Sequence, residues 1–110
     1  MKKPRILIAE DDDLCRENML ELLSEKGYAV KAVNDGKQAM EAYPYDKYDL
    51  VITDLNMPHI DGLQLLQFIK EMDPKNIVVM ITGYAAVKSA VKAMKLGAFD
   101  YITKPLKQEF

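Results

Sequence analysis

The chain has 110 residues, enough for one domain around one core. Hydrophobic residues make up 49% and charged residues 29%, which excludes wholesale disorder. Fifteen basic against seventeen acidic residues leave a net charge of -2, with no basic surplus to suit nucleic acid and no polybasic run to suit an anionic membrane. The one cysteine, Cys15, cannot close an intrachain disulfide, which suits a reducing compartment. No apolar stretch is long enough to span a bilayer, and the start, Met1-Lys2-Lys3-Pro4, is not that of a signal peptide. A cytoplasmic location is expected.

In chain order, an apolar run at residues 6–9 leads into the acids Glu10-Asp11-Asp12-Asp13. Helical spacing follows, with Cys15, Met19, Leu22 and Leu23 at i, i+4, i+7 and i+8. Asp12 or Asp13 can cap this helix and Gly27 can stop it. A second apolar run spans 28–33, and a short helix is expected over about 37–43. The third run, 50–53, ends against Asp54. Leu65, Leu66, Ile69 and Met72 then form a helical stripe. The fourth run, 77–81, ends against Thr82. Val87, Ala90, Val91 and Met94 form another stripe, closed by Gly97. The last run, 99–102, precedes Lys104-Pro105.

Continuous apolar runs of this length predict strands buried on both faces. The methionines, mostly on the helical stripes, are read as core packing. Five strands alternating with four helices imply an α/β fold with a parallel sheet, right-handed crossovers and strand order 2-1-3-4-5. Ligands of such sheets bind beyond the C-terminal strand ends.

Those ends carry the chemistry. Glu10, Asp11 and Asp54 would cluster, and their mutual repulsion favours a hard divalent cation on oxygen ligands, magnesium above all. Asp12 and Asp13 are better explained as acids at a helix N-terminus. Asp54, directly after an apolar strand, is rigidly held yet reaches the surface, as a nucleophile forming an acyl phosphate must. Lys104 can pair with Asp54 and then with a phosphoryl oxygen, and the Thr82 hydroxyl can donate to another. His59 reads as an exposed loop residue, and Lys88, Lys92 and Lys95 as a solvated helix face.

Glu10-Asp11, Asp54, Thr82 and Lys104-Pro105, in this order, resemble the signature set of response-regulator receiver domains. Asn56, Met57-Pro58 and Asp61-Gly62 around Asp54, and Gly97-Ala98-Phe99-Asp100-Tyr101 before Lys104, are similar to the family pattern as well. The resemblance implies a flavodoxin-like three-layer sandwich. It implies a switch in which a sensor histidine kinase passes a phosphoryl group from phosphohistidine to Asp54. Magnesium, or Mn2+ in its place, would be held by Glu10, Asp11, Asp54 and the backbone carbonyl of Asn56. Thr82 and Lys104 would bind phosphoryl oxygens, Tyr101 would turn inward as Thr82 moves, and a cis bond would join Lys104 to Pro105. Asn56 and Tyr84 would flank the path of hydrolytic water, with Tyr84 shielding the acyl phosphate.

Receivers of this kind carry a fifth helix after the Lys-Pro loop, whereas Leu106 and Phe110 supply only the spacing of its first turn. Residues 1–110 therefore read as one receiver domain truncated at the start of that helix, with apolar surface left beside the first helix. An excised fragment, self-association with swapped elements, and a separate covering partner all remain open. The run from Thr82-Gly83-Tyr84 to Gly97-Ala98 resembles receivers that control transcriptional activators; no output domain is expected within residues 1–110, and none of these residues is expected to bind nucleic acid. Three rivals fit less well. A phosphorylation-independent scaffold with a vestigial pocket would not keep Asp54, Thr82 and Lys104 intact. A phosphatase of the haloacid dehalogenase type needs an acid where Asn56 stands, and a flavin-type module needs a phosphate-cradling loop where four acids stand.

Overall fold

The structure, a computed structural model, describes residues 3–83 and 87–104. In chain order they form β1 (Arg5–Ala9), α1 (Asp13–Glu25), β2 (Ala29–Val33), α2 (Gly36–Ala42), a 3-10 turn (Tyr43–Tyr45), β3 (Leu50–Asp54), α3 (Gly62–Met72), β4 (Ile77–Thr82), α4 (Val87–Lys95) and β5 (Asp100–Thr103). Every strand pair is parallel and the order is β2-β1-β3-β4-β5, as the alternation of runs and stripes predicts.

Local chemistry sets the helix ends. The Asp12 carboxylate accepts the Cys15 N–H at 2.9 Å and so caps α1. Asp35 caps α2 through the Gln38 N–H at 2.7 Å. Asp61 and Gln64 close a reciprocal capping box on α3, at 2.8 and 2.9 Å. Gly27 and Gly97, both at positive φ, follow α1 and α4.

The sheet has two unequal faces. On one, Leu7, Val51, Val78 and Met80 pack against Ala39 of α2, Leu65, Leu66 and Ile69 of α3, and Ala93 of α4. Each fully buried Leu or Ile there contributes roughly 2 kcal/mol. On the other, Ile6, Ile8, Ile52 and Ile81 pack against Met19 of α1. That second face is thinly covered among the described residues. Leu50, Val79 and Ile102 are half-buried, Ile77 is 40% exposed, and a groove of about 250 Å³ lies between α1 and Lys104. The positions that would begin a fifth helix, 106–110, lie outside the described residues, as do Tyr84 and Pro105.

Two expectations are corrected. Near-continuous burial holds for β1, β3 and β4 but not for β2 and β5. The edge strands have one neighbour each, so the cover that encloses a central strand is missing on one side. The stripe of α4 also faces outward. Val87 is 81% exposed and Val91 and Met94 are exposed, while Ala93 is buried and Ala90 half-buried. The small alanines let α4 lie close to the sheet, so its larger apolar side chains do not supply the contact. Met72 and Met94 are therefore surface residues, whereas Met19, Met57 and Met80 are core.

Candidate functional site

Register brings the expected residues to one edge of the sheet. Ala9 pairs with Thr53, Asp54 with Ile81, and Thr82 with Thr103. Glu10, Asp54, Thr82 and Lys104 thus leave four adjacent strands at the same end. The turn after Asp54 is held in place by close backbone approach. Leu55 N–H donates to Ile81 O at 2.9 Å and Gly62 N–H to Leu55 O at 2.9 Å. A Cβ on Gly62 would stand 2.4 Å from the Asp54 carbonyl oxygen, so no larger residue fits there without moving the acid.

The acids and the lysine meet directly. Lys104 Nζ lies 3.1 Å from Asp54 Oδ2 and also pairs with Glu10 Oε1. The Lys104 backbone N–H donates to Thr82 O at 2.7 Å, which ties the lysine to the end of β4. Glu10 is fully buried, Thr82 is buried, and Asp54 is 5% exposed; Asp11 and Asn56 are exposed beside them. The Asn56 backbone N–H donates to Asp54 Oδ1 at 3.2 Å. One carboxylate oxygen each from Glu10, Asp11 and Asp54 lies within 4.8 Å of the others.

The electrostatics follow from that crowding. Burial raises Asp54 above the usual carboxylate range, Glu10 adds to the effect, and Lys104 opposes it without cancelling it. Burial alone would lower Lys104, yet Glu10 and Asp54 hold it above the ordinary lysine value. Glu10 Oε1 is ion-paired with the ammonium, and Glu10 Oε2 accepts the Asp12 N–H at 3.2 Å. Three carboxylates against one ammonium leave two negative charges on oxygen donors. That crowded set of carboxylate oxygens fits a hard divalent cation such as magnesium.

Neighbouring residues take the places expected of them in part. Asp12 caps α1 and Asp13 lies in its first turn. His59, Lys88, Lys92 and Lys95 are exposed. Tyr101 is half-buried against the larger core cluster, and its hydroxyl is buried without a hydrogen bond. Three features escape sequence reasoning. Lys104 has Glu10 as a second partner. The Cys15 thiol is pushed up to about 12 by burial and by Glu10, which keeps it protonated. Arg16 reaches back to the Glu10 carbonyl at 3.0 Å. Only for Arg16 is there a signal in the sequence, a cation in the first turn after four acids.

The family model for the response regulator receiver domain matches residues 6–110. The chain belongs to this family. The receiver is 40% identical over 101 residues to the transcriptional regulatory protein ZraR of Escherichia coli strain K12. That match covers 91% of this chain and 23% of ZraR, so the receiver spans about a quarter of that relative's length. Among solved structures, a response regulator receiver domain protein of Clostridium thermocellum superposes with a TM-score of 0.91 at 30% identity, covering 96% of this chain and 86% of that one. The response regulator protein TrrA of Thermotoga maritima, solved in complex with Mg2+-BeF, superposes with a TM-score of 0.86 at 30% identity over 94% of this chain and 89% of that one. The receiver has the parallel five-stranded, flavodoxin-like architecture that its sequence implies, and no helix among its described residues is long and apolar enough to cross a membrane.

Proposed function

We propose that the receiver accepts a phosphoryl group on Asp54 from the phosphohistidine of a sensor histidine kinase and changes partner or self-association in response. The observation that carries this is the buried Asp54 carboxylate, held 3.1 Å from Lys104 Nζ beside Glu10 and Asp11. An Asp54 oxygen attacks phosphorus as the phosphorus–nitrogen bond breaks, and the imidazole leaves with the electron pair. Glu10, Asp11, Asp54 and the Asn56 carbonyl would hold magnesium, or Mn2+ in its place. When bound, the cation offsets the repulsion among the carboxylates and the charge on the transferring group.

The chain's own groups do the rest. Lys104 exchanges its Asp54 partner for a phosphoryl oxygen, and the Thr82 hydroxyl donates to another. As Thr82 shifts, the Tyr101 hydroxyl, buried without a hydrogen bond, has a reason to rearrange. Asn56 and, on the family resemblance, Tyr84, which lies outside the described residues, would set how long the acyl phosphate lasts; Tyr84→Ala is expected to shorten that lifetime. Autodephosphorylation by this route makes the domain a self-resetting switch and not a metabolic enzyme. Residues 1–110 form one receiver whose fifth helix would begin near Leu106; the cis bond that the family resemblance implies at Pro105 lies outside the described residues. A cytoplasmic setting fits this role, and the likeness to ZraR favours a transcription regulator as its context. The test is incubation with acetyl phosphate and magnesium followed by intact mass. The wild type gains one phosphate and Asp54→Ala gains none; a gain retained in Asp54→Ala overturns the reading.

A further inference from the structure

We propose that Arg16 is a positioning residue for the acid-bearing loop, holding Glu10 and Asp11 in the geometry that takes up magnesium; this rests on the magnesium reading above. Its place is otherwise unfavourable. Arg16 lies in the first turn of α1, where the helix dipole disfavours a cation. Its guanidinium is nonetheless drawn in, with the side chain only 18% exposed. One arm, Nη1, donates to the Glu10 backbone carbonyl at 3.0 Å, and the other, Nη2, to Asp13 Oδ1 at 2.5 Å. Glu10 is pinned from the far side as well, since its N–H donates to Val33 O at 3.1 Å. Its Oε2 accepts the Asp12 N–H at 3.2 Å.

The segment from Glu10 to Asp13 is thus tied at both ends, and Asp11 sits between the ties. Both bonds of Arg16 go to a backbone carbonyl and to Asp13, which stands outside the carboxylate cluster. Arg16 therefore acts through the geometry of the loop. A planar fork makes both bonds at once, and an ammonium does not reproduce it.

The sign of the effect separates this role from simple charge. A cation beside the site repels magnesium, so removing it on electrostatic grounds alone tightens binding. Loss of positioning weakens it. Isothermal titration of magnesium into the full chain is compared for wild type, Arg16→Ala, Arg16→Lys and Asp11→Asn, with circular dichroism in chelator confirming that each is folded. We expect binding about tenfold weaker in Arg16→Ala, the scale typical of groups that orient metal ligands. Arg16→Lys keeps the charge and loses the fork, and is expected to be about threefold weaker. It carries the test alone if the alanine variant does not fold. A second readout is the magnesium dependence of phosphorylation by acetyl phosphate. The half-saturating concentration rises while the rate at saturation is retained. Unchanged or tighter binding in a folded Arg16 variant overturns the proposal. If Asp11→Asn binds magnesium as wild type does, the metal reading itself fails, and the proposal with it.

Discussion

At the N-terminal ends of the strands, polar groups are closed into a network. The Asn76 amide donates to the Tyr43 hydroxyl and, at 3.2 Å, to the Tyr48 carbonyl, while its own Oδ1 accepts the Ile77 N–H at 2.7 Å. Lys70 Nζ caps the Asn76 and Pro74 carbonyls at 2.5 and 3.3 Å. Toward the C-terminal ends of the sheet, the Glu10 and Asp54 carboxylates share the Lys104 ammonium with Asp11 crowded beside them, and within β5 the Tyr101 hydroxyl is buried without a hydrogen bond. One end has its polar groups satisfied and contributes stability. The other carries an excess of negative charge on crowded oxygens, a division of labour expected where function sets the local chemistry.

The largest effect expected from breaking this contrast lies at the satisfied end. Asn76→Ala leaves the Tyr43 hydroxyl and the Tyr48 carbonyl unpaired in a buried place, at a cost of about 2–3 kcal/mol. Thermal unfolding registers it as a Tm lower by roughly 10–15 °C. Phosphorylation at low temperature is retained. A fall of only a degree or two would mean that water replaces the amide freely.

At the other end, neutralising a charge stabilises. Asp54 has a folded-state pKa raised above its ordinary 3.8, so the folded protein holds that proton more tightly than the unfolded chain does. The associated stability is full below about pH 4 and is lost as pH rises through the raised value. Asp54→Asn escapes that loss. In chelator, its Tm advantage over wild type is near zero at about pH 4 and grows as pH rises through the raised value of Asp54. Magnesium narrows the gap by stabilising wild type. An advantage that shrinks as pH rises would contradict the direction given to Asp54.

The same substitution at a satisfied and an unsatisfied tyrosine sharpens the comparison. Tyr43→Phe removes an acceptor that Asn76 uses and costs about 1 kcal/mol. Tyr101→Phe removes a buried hydroxyl that has no hydrogen bond and gains about 0.5 kcal/mol. Denaturant midpoints measure both. Equal signs would show that the two hydroxyls are not in different circumstances.

The strand ends were legible in the sequence because apolar runs locate strands and parallel topology puts their ends together. Glu10, Asp54, Thr82 and Lys104 needed nothing finer. The facing of α4 was not legible, since periodicity reveals a stripe but not which side meets the sheet; the buried Ala93 carries too little hydrophobicity to compete with Val87 and Val91. The Asn76 network was invisible because its partners Tyr43 and Tyr48 lie about thirty residues away and leave no local pattern. The second partner of Lys104 depends on a side-chain conformation that spacing does not specify. Tyr84 and Pro105, read from family resemblance, lie outside the described residues.

The smallest expected effect concerns backbone strain at the functional end. His59 is the one residue other than glycine at positive φ among those described, at 68°, inside a tight turn closed by Ile60 N–H to Pro58 O at 2.8 Å. A side chain in that conformation costs roughly 1–2 kcal/mol, and glycine escapes the cost. Glycine also loses more freedom on folding, which offsets part of the gain. His59→Gly is therefore expected to be more stable by about 0.5 kcal/mol, a rise of some 2–4 °C in Tm. His59 is exposed and makes no bond to the acid cluster, so the half-saturating magnesium concentration for phosphorylation stays where it is in wild type. A lower Tm would mean that the turn is relaxed with histidine in place, and would remove backbone strain from what distinguishes the two ends.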